Sequence, residues 1–405
     1  MSHSEKYDVI IAGGGPAGSS AATHLALQGA RVLLAEQKKF PRPKLCGEFI
    51  SPECTTHFEK LGVTERMLDG KPSNLTETVF YSRSGASVRV PSKWFGSGGI
   101  ALGLSRAEMD ERLLRRAGEV GVTVLEDSPV TNLFFEGSRV TGVAVKRDGV
   151  EDSFHAPLII DATGRGRMLA RLAQKVTHDQ PQSRRAPLVA FKAHLTDTRV
   201  APGACEIYFY RGGYGGLNNI EGGFSNLCFI VNARDVRACQ SNPERVMREI
   251  VCRNRRAGET LASANVRSEW LAVSLEGFGR HSVAPTAGLL AIGDAASFID
   301  PFTGSGMLMA LESGELAAQI VSRRLEQIRN GTSAADLGST YEQLYGRQFG
   351  SRLRFCSWMR RAAFLPGLAE LAVRFCGGSD SLRRRVTRAT RSSSQRNLSS
   401  IHSFK

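Results

Sequence analysis

The chain has 405 residues, 41% hydrophobic and 23% charged, enough for two domains around sizeable cores. No uncharged apolar run approaches the ~20 residues of a membrane span, the first apolar stretch holds a glycine fingerprint rather than a signal peptide, and the eight cysteines form neither a C-x-x-C pair nor a metal spacing with His, so a reduced, cytoplasmic protein without structural zinc is expected. The net charge of +14 is concentrated at one end: residues 351–405 hold 12 Lys/Arg against two acids (+10), and the first 350 carry only +4, 41 basic minus 37 acidic.

Residues 7–12 (YDVIIA) predict a buried strand, followed by Gly13-Gly14-Gly15-Pro16-Ala17-Gly18 and a helical run over 19–28. This sets G-x-G-x-x-G between strand and helix, where Gly13 can make the tight turn, Gly15 can admit a pyrophosphate to the backbone and Gly18 can let the helix close on the strand. A second strand, 31–35, ends in Glu36, 18 residues beyond Gly18 and near the ~20-residue offset of a carboxylate that accepts ribose hydroxyls. An acid rather than an arginine there disfavours a 2′-phosphate, so the expected nucleotide is FAD or NAD.

Residues 40–49 (FPRPKLCGEF), punctuated by prolines, predict an irregular loop that returns toward the nucleotide; a solvated connection with a partly buried cysteine is the plainer alternative. A β-hairpin is expected at 76–82 and 86–90. Ser105 and Glu108 read as a capping box for a helix over 107–118, and Arg106 at that helix start opposes the dipole, so a partner such as a phosphate is expected. Strands follow at 122–125, 130–135, 139–146 and 153–160, the last running into Asp161-Ala162-Thr163-Gly164.

From 187 to 275 the pattern predicts strands at 188–195, 205–210, 224–231 and 266–275 with a helix at 243–256, an antiparallel sheet that the early hairpin would join. The stretch 211–219 (RGGYGGLNN) reads as a loop, either part of a substrate pocket or a mobile surface turn. Residues 289–318 then give strand, Gly293-Asp294, Asp300-Pro301, Gly304-Ser305-Gly306 and helix, which suits a ligand that carries or develops negative charge, a plain structural turn being the alternative. Residues 352–376 predict a helical region with an apolar side, interrupted by Pro366, before a Ser/Arg-rich tail expected to be disordered. Two readings of this basic end stand: helices packed on the rest with a solvated tail, or peripheral contact with an anionic membrane surface. Nucleic acid is disfavoured, because aromatic interleaving and a recognition fold are both absent from the sequence.

GGGPAG near the start, Arg42-x-Lys44-x-Cys46-Gly47, Arg106 at a helix start, Asp161-Ala162-Thr163-Gly164 and Gly293-Asp294-Ala295-Ala296 with Pro301 and Gly304-x-Gly306 together resemble the geranylgeranyl reductase family, within the flavoproteins of para-hydroxybenzoate hydroxylase fold. The resemblance spans about residues 7–320 and implies an α/β architecture. A discontinuous, three-layer Rossmann-type FAD-binding domain (1–74, 97–185, 276–350) would carry an inserted, mainly antiparallel substrate domain (75–96, 186–275), C-terminal helices (351–377) and a basic tail (378–405). It implies non-covalent FAD, with Gly13, Gly15 and Gly18 at the pyrophosphate, Glu36 at the adenosine ribose, Arg106 at the phosphates and Asp294 at the ribityl or pyrophosphate region. Pro301 and Gly304, Gly306 and Met307 would meet the isoalloxazine, with Cys46 and Gly47 close to the ring and Cys46 the candidate catalytic residue. Pro16, Ala17, Lys44, Val130, Asp161 and Gly164 complete the implied cofactor site.

The implied activity is reduction of a C=C bond in a small apolar substrate, isoprenoid or polyketide-like, through reduced flavin. A monooxygenase using NAD(P)H and O₂ is the alternative, and a non-catalytic flavin-binding protein a third. No second G-x-G-x-x-G is present, so NAD(P)H as donor would bind transiently. The Trp-x-Trp-x-x-Pro of halogenases on this fold is absent, the tryptophans standing alone at 94, 270 and 358. The Tyr-x-Trp-x-Phe-Pro run common in prenyl reductases is replaced by residues 214–220 (YGGLNNI), without tryptophan or proline, which counts against an isoprenoid.

Overall fold

The computed structural model describes residues 6–95, 99–176, 188–300, 304–330, 334–363, 367, 370, 373 and 379–389. Pro301, Pro366 and the tail beyond 389 lie outside the described residues.

Val9–Ala12 forms the middle of a five-stranded parallel sheet, with Val32–Ala35 and Leu158–Asp161 beside it and Thr123–Leu125 and Leu289–Ala291 at the edges. Val9–Ala12, Val32–Ala35 and Leu158–Asp161 are buried at every position, as parallel strands covered on both faces must be. Val9, Ile11, Val32 and Leu34 point toward helices Pro16–Leu27, Arg106–Glu119 and Gly306–Ser322. Their neighbours Ile10 and Leu33 point to the other face, packed on the antiparallel strands Val130–Glu136 and Arg139–Arg147, which Val150–His155 extends. The result is three layers: helices, parallel sheet, antiparallel sheet.

The expected single strand at 153–160 is two, because Pro157 interrupts it: Val150–His155 belongs to the outer sheet and Leu158–Asp161 to the parallel one. Residues 243–256 likewise split into helices Pro243–Glu249 and Arg255–Thr260, with fully buried Asn254 at the break. The Asn254 side chain accepts from Ala257 N and donates to the carbonyls of Ser82 and Phe209. The strand expected at 266–275 is reduced to Asn265–Val266 and Leu271–Leu275.

The second sheet has eight strands and joins Glu77–Tyr81 and Ser87–Pro91 to strands between 188 and 275. Its pairings are antiparallel except that of Glu77–Tyr81 with Ala204–Tyr210. The sequence reading of 211–219 as a loop is corrected here, since Gly213–Asn219 is an interior strand of this sheet. Its glycines answer close approach rather than mobility: a Cβ on Gly213 would lie 1.9 Å from the Ile230 carbonyl oxygen, and one on Gly215 3.0 Å from Phe229 Cβ.

A 30-residue helix, Ala334–Ala363, packs Leu337, Tyr341, Tyr345 and Phe349 into the main core, and Tyr341 donates to the Ala291 carbonyl at 3.0 Å. It begins well before the expected helical region at 352, because the pattern upstream is amphipathic too. Arg352, fully buried, is paired with Glu312 of Gly306–Ser322 at 2.8 Å. Among the described residues no helix is long and apolar enough to cross a membrane.

Glu315, on the same helix, lies 2.6 Å from Lys60 Nζ and 2.9 Å from His57 Nδ1 of Cys54–Leu61. Burial acts to raise its pKa, but His57 and Lys60 outweigh it and hold the carboxyl at about 2 against an ordinary 4.5. A depressed folded-state pKa contributes stability above the unfolded value that is lost as pH falls through the folded one. Wild type should therefore exceed Glu315→Gln by about 2–3 kcal/mol near pH 6. In urea denaturation followed against pH, this gap should close between roughly pH 4.5 and 2; a gap that persists at pH 2 would refute the assignment.

Candidate active site

A cavity of about 1170 Å³ runs from the turn after Val9–Ala12 to the face of the eight-stranded sheet. At one end it is walled by Gly13, Gly15, Pro16, Ala17 and Glu36; Lys44, Cys46, Gly47, Arg106 and Asp294 line its middle, with Val130, Gly164, Gly304, Gly306 and Met307 around them. The far end is apolar, with Phe80, Val90, Phe209, Ile230, Val273 and Leu275 in its walls.

Gly13 takes φ 108°, and a Cβ there would stand 2.4 Å from the Ala162 carbonyl oxygen. A Cβ on Gly15 would meet nothing within 4 Å, so the backbone is open to the cavity at the point where helix Pro16–Leu27 begins. No side chain caps that helix, which leaves its first N–H groups available to an anion. Glu36, 2% exposed, accepts from Gly14 N at 2.7 Å and Lys38 N at 3.1 Å and still faces the cavity. The cradle suits a dinucleotide pyrophosphate and ribose.

Two site residues of the sequence reading stand behind the wall rather than in it. Gly18 is the packing glycine, where a Cβ would lie 1.9 Å from Gly13 O. Asp161 is fully buried and its oxygens are taken by Thr163 N and Oγ1 (3.0 and 2.6 Å) and Ala170 N (2.9 Å), so it shapes the turn that presents Gly164.

Arg106, expected at the phosphates, lines the cavity and has a partner within the protein as well. Its guanidinium forms a bidentate pair, 2.7 Å in each arm, with buried Asp110 one helical turn on. Burial acts to lower the Arg106 pKa, and Asp110 more than offsets it, with the Cys46 sulfur also facing the guanidinium. The capping box is half formed: Ser105 Oγ accepts from Glu108 N at 3.3 Å, but Ser105 N donates to Glu221 while Glu108 turns to Arg112.

Asp294 follows Leu289–Ala291 on a short turn, and among the described residues its carboxylate accepts no hydrogen bond from the protein. Burial raises its pKa, against the pull of Lys44, Arg165 and Arg106. Lys44 is accessible from the cavity, yet enclosure by the walls lowers its pKa and the neighbouring Arg106 and Arg42 add to this. Gly304, at φ 60°, leads to Gly306–Ser322, whose start has no side-chain cap and lies on the cavity wall.

Sequence reasoning missed the group beneath Cys46. Glu48, fully buried at φ 51°, receives Lys192 Nζ on Oε1, His194 Nε2 on Oε2 at 2.8 Å, and the Arg106 backbone N–H at 2.8 Å. Lys192 Nζ also donates to Lys44 O at 3.2 Å, and Asn226 Nδ2 to Cys46 O at 3.1 Å. The 44–48 loop is thus tied to two strands of the eight-stranded sheet and to the start of helix Arg106–Glu119. The available signal was a lysine and a histidine two apart in an otherwise apolar strand, LVAFKAHLT.

The structure also places Cys205 and Cys228 in the cavity wall, both pushed up to about 12 by burial. Tyr214, 5% exposed, lines the cavity and donates to Asp300.

The family model described as FAD binding domain matches residues 6–345. The chain is 27% identical over 355 residues (86% of this chain, 82% of the relative) to digeranylgeranylglycerophospholipid reductase 1 of Methanococcoides burtonii. It is 26% identical over 391 residues (92% and 89%) to menaquinone reductase of Mycobacterium tuberculosis. Among solved structures, the geranylgeranyl bacteriochlorophyll reductase-like protein of Thermoplasma acidophilum superposes with TM-score 0.76 at 21% identity, covering 94% of this chain and 96% of that one. The flavin-dependent brominase Bmp2 superposes equally, TM-score 0.76 at 21% identity over 95% and 93%, so the fold is shared across different reactions.

Removing the Lys192 charge should strand the Glu48 carboxylate in the interior. Lys192→Met is expected to lower stability by about 3–5 kcal/mol in equilibrium urea denaturation, and Glu48→Gln in the same chain to restore part of it. A loss under about 1 kcal/mol would mean that the pair contributes little to the fold.

Proposed function

The chain belongs to the FAD binding domain family and is an FAD-dependent oxidoreductase, and on that premise we propose that it reduces a C=C bond of an apolar, isoprenoid-like substrate. The observation that carries the proposal is the continuity of the cavity, from an anion cradle at Gly15 past Asp294 into an apolar chamber. The names of the two relatives, a digeranylgeranylglycerophospholipid reductase and a menaquinone reductase, favour reduction.

In this reading the N–H groups at the start of helix Pro16–Leu27, with Gly13, Gly15 and Ala17, hold the FAD pyrophosphate, and Glu36 accepts an adenosine ribose hydroxyl. Asp294 accepts a hydroxyl of the ribityl chain, the hydrogen bond that its environment leaves unmade. Lys44, Cys46 and Gly47 would border the ring, with Val130 and Gly164 as further walls. The uncapped start of Gly306–Ser322, at Gly304, Gly306 and Met307, faces the charge that develops on reduction. Bound and reduced, FAD supplies the two-electron chemistry; the protein supplies the dry chamber and the orientation. Arg106, paired with Asp110 and facing Cys46 from the cavity wall, would reach the phosphates. Reduction of C=C also consumes a proton, and Cys46 and Tyr214 are wall residues with an exchangeable one. NAD(P)H is the proposed donor, bound transiently, and the cytoplasm the proposed compartment, where the seven described cysteines stay as free thiols.

Asp294→Ala should weaken FAD binding by about 1.5–3 kcal/mol, roughly ten- to hundredfold, in a fluorescence titration of apoprotein. Unchanged affinity would return Asp294 to the role of a structural turn.

The reaction is tested by photoreducing the FAD-loaded protein without oxygen and adding a geranylgeranyl lipid or menaquinone. Reappearance of the oxidised flavin spectrum with a product two mass units heavier is expected. Reoxidation that requires O₂, with ¹⁸O from ¹⁸O₂ in the product, would show a monooxygenase instead.

A further inference from the structure

The mouth of the cavity is built unlike the rest of the surface. Helix Ala334–Ala363 contributes Phe355, Trp358 and Met359 to it, and helix Asp380–Ala389 contributes Val386. Trp358 is 65% exposed, the most exposed large hydrophobic among the described residues. An exposed indole at the opening of an apolar chamber is costly in water, and its amphipathic ring suits the boundary between headgroups and acyl chains.

The charge around it is mostly positive. Arg354 stands one helical turn from Trp358 and is exposed, as are Arg384 and Arg385 on the second helix. Arg383 and Arg384 lie over the Trp94 ring, at 5.7 and 5.0 Å, which seats the second helix beside the mouth with Lys93 exposed next to it. The described acids of residues 351–389 are engaged: Glu370 accepts from Ser84 at 2.5 Å, and Asp380 from Arg383. These arginines belong to the segment 351–405, which carries +10.

We propose that this mouth is a docking surface for an anionic lipid bilayer, with Trp358 inserted at the interface and Arg354, Arg384 and Arg385 on the lipid headgroups. Charge complementarity selects this occupant: each interfacial Arg adds to attraction toward an anionic leaflet, while a second copy of the chain would bring the same positive charges together. An apolar substrate then passes from the bilayer into the chamber without crossing water. The proposal extends the reading of an apolar substrate, but its test uses no turnover, so either can fail alone.

The test is co-sedimentation of the FAD-loaded full chain with vesicles of phosphatidylcholine alone or with about a third phosphatidylglycerol. Binding is expected to the anionic vesicles only, reversed by ~0.5 M salt. It should fall roughly tenfold or more in Arg354→Glu/Arg385→Glu, with the flavin spectrum and circular dichroism unchanged. A tryptophan emission blue-shift on binding should disappear in Trp358→Ala. Equal binding to both vesicles, no binding, binding that the double variant retains, or dimerisation in solution that Trp358→Ala abolishes would each overturn the proposal.

Discussion

Four glycines let three segments of backbone meet more closely than any side chain would allow, and the cavity depends on that contact. A Cβ at Gly13 would strike Ala162 O at 2.4 Å, one at Gly18 would strike Gly13 O at 1.9 Å, one at Gly314 would strike Ala17 O at 2.5 Å, and one at Gly293 would reach Ala17 Cβ at 2.8 Å. Because helix Gly306–Ser322 is pressed onto helix Pro16–Leu27, both uncapped helix starts open onto the same cavity. Two helix N-termini without a side-chain cap, both facing one cavity, suit a cofactor with charge at both its pyrophosphate and its ring. The packing constraint and the electrostatic one are the same constraint.

The second sheet has to be held against that assembly, and apolar contact alone would leave it free to shift. Glu48 supplies direction instead: its one carboxylate is bonded by Lys192 and His194 of the sheet and by the start of helix Arg106–Glu119, while its own N–H donates to Cys46 Sγ at 3.4 Å. A buried charge network of this kind adds little net stability compared with apolar packing of the same volume, but it admits one arrangement and penalises others. The loop carrying Lys44, Cys46 and Gly47 is the part so fixed, and it lies where the polar and apolar parts of the cavity join.

Much of this was legible in the sequence where a local rule has a local cause. The spacing of Gly13, Gly15 and Gly18 with Glu36 follows from strand, turn and helix within about thirty residues, and the structure reproduces their placement, with Gly18 on the packing side. Where a partner lies far along the chain, the reading failed. Asp110 escapes notice for a different reason: it lies only four residues from Arg106, and an i,i+4 pair on an amphipathic helix is ordinarily at the surface. Glu48 and Lys192 are 144 residues apart, and nothing local announces their pairing.

Gly213–Asn219 shows the same limit with a consequence for substrate choice. Glycines signal a loop when read alone, yet here they let neighbouring strands approach, and at Gly216, on the cavity wall, Ile207 Cδ1 occupies the space, 3.1 Å from where a Cβ would stand. Of this strand, Tyr214, Gly216 and Asn218 line the chamber, a large ring beside a position with no side chain. A wall of this kind ranks substrates by volume, and a hydrophobic wall separates chains differing by one methylene by only about 1–3 kcal/mol. Sharp selection has to come from polar groups, and Cys46, Asn218 and Tyr214, the last donating to Asp300, are among those on the cavity wall. Under the proposed reduction, discrimination at the double bond with tolerance along the apolar chain follows from that division.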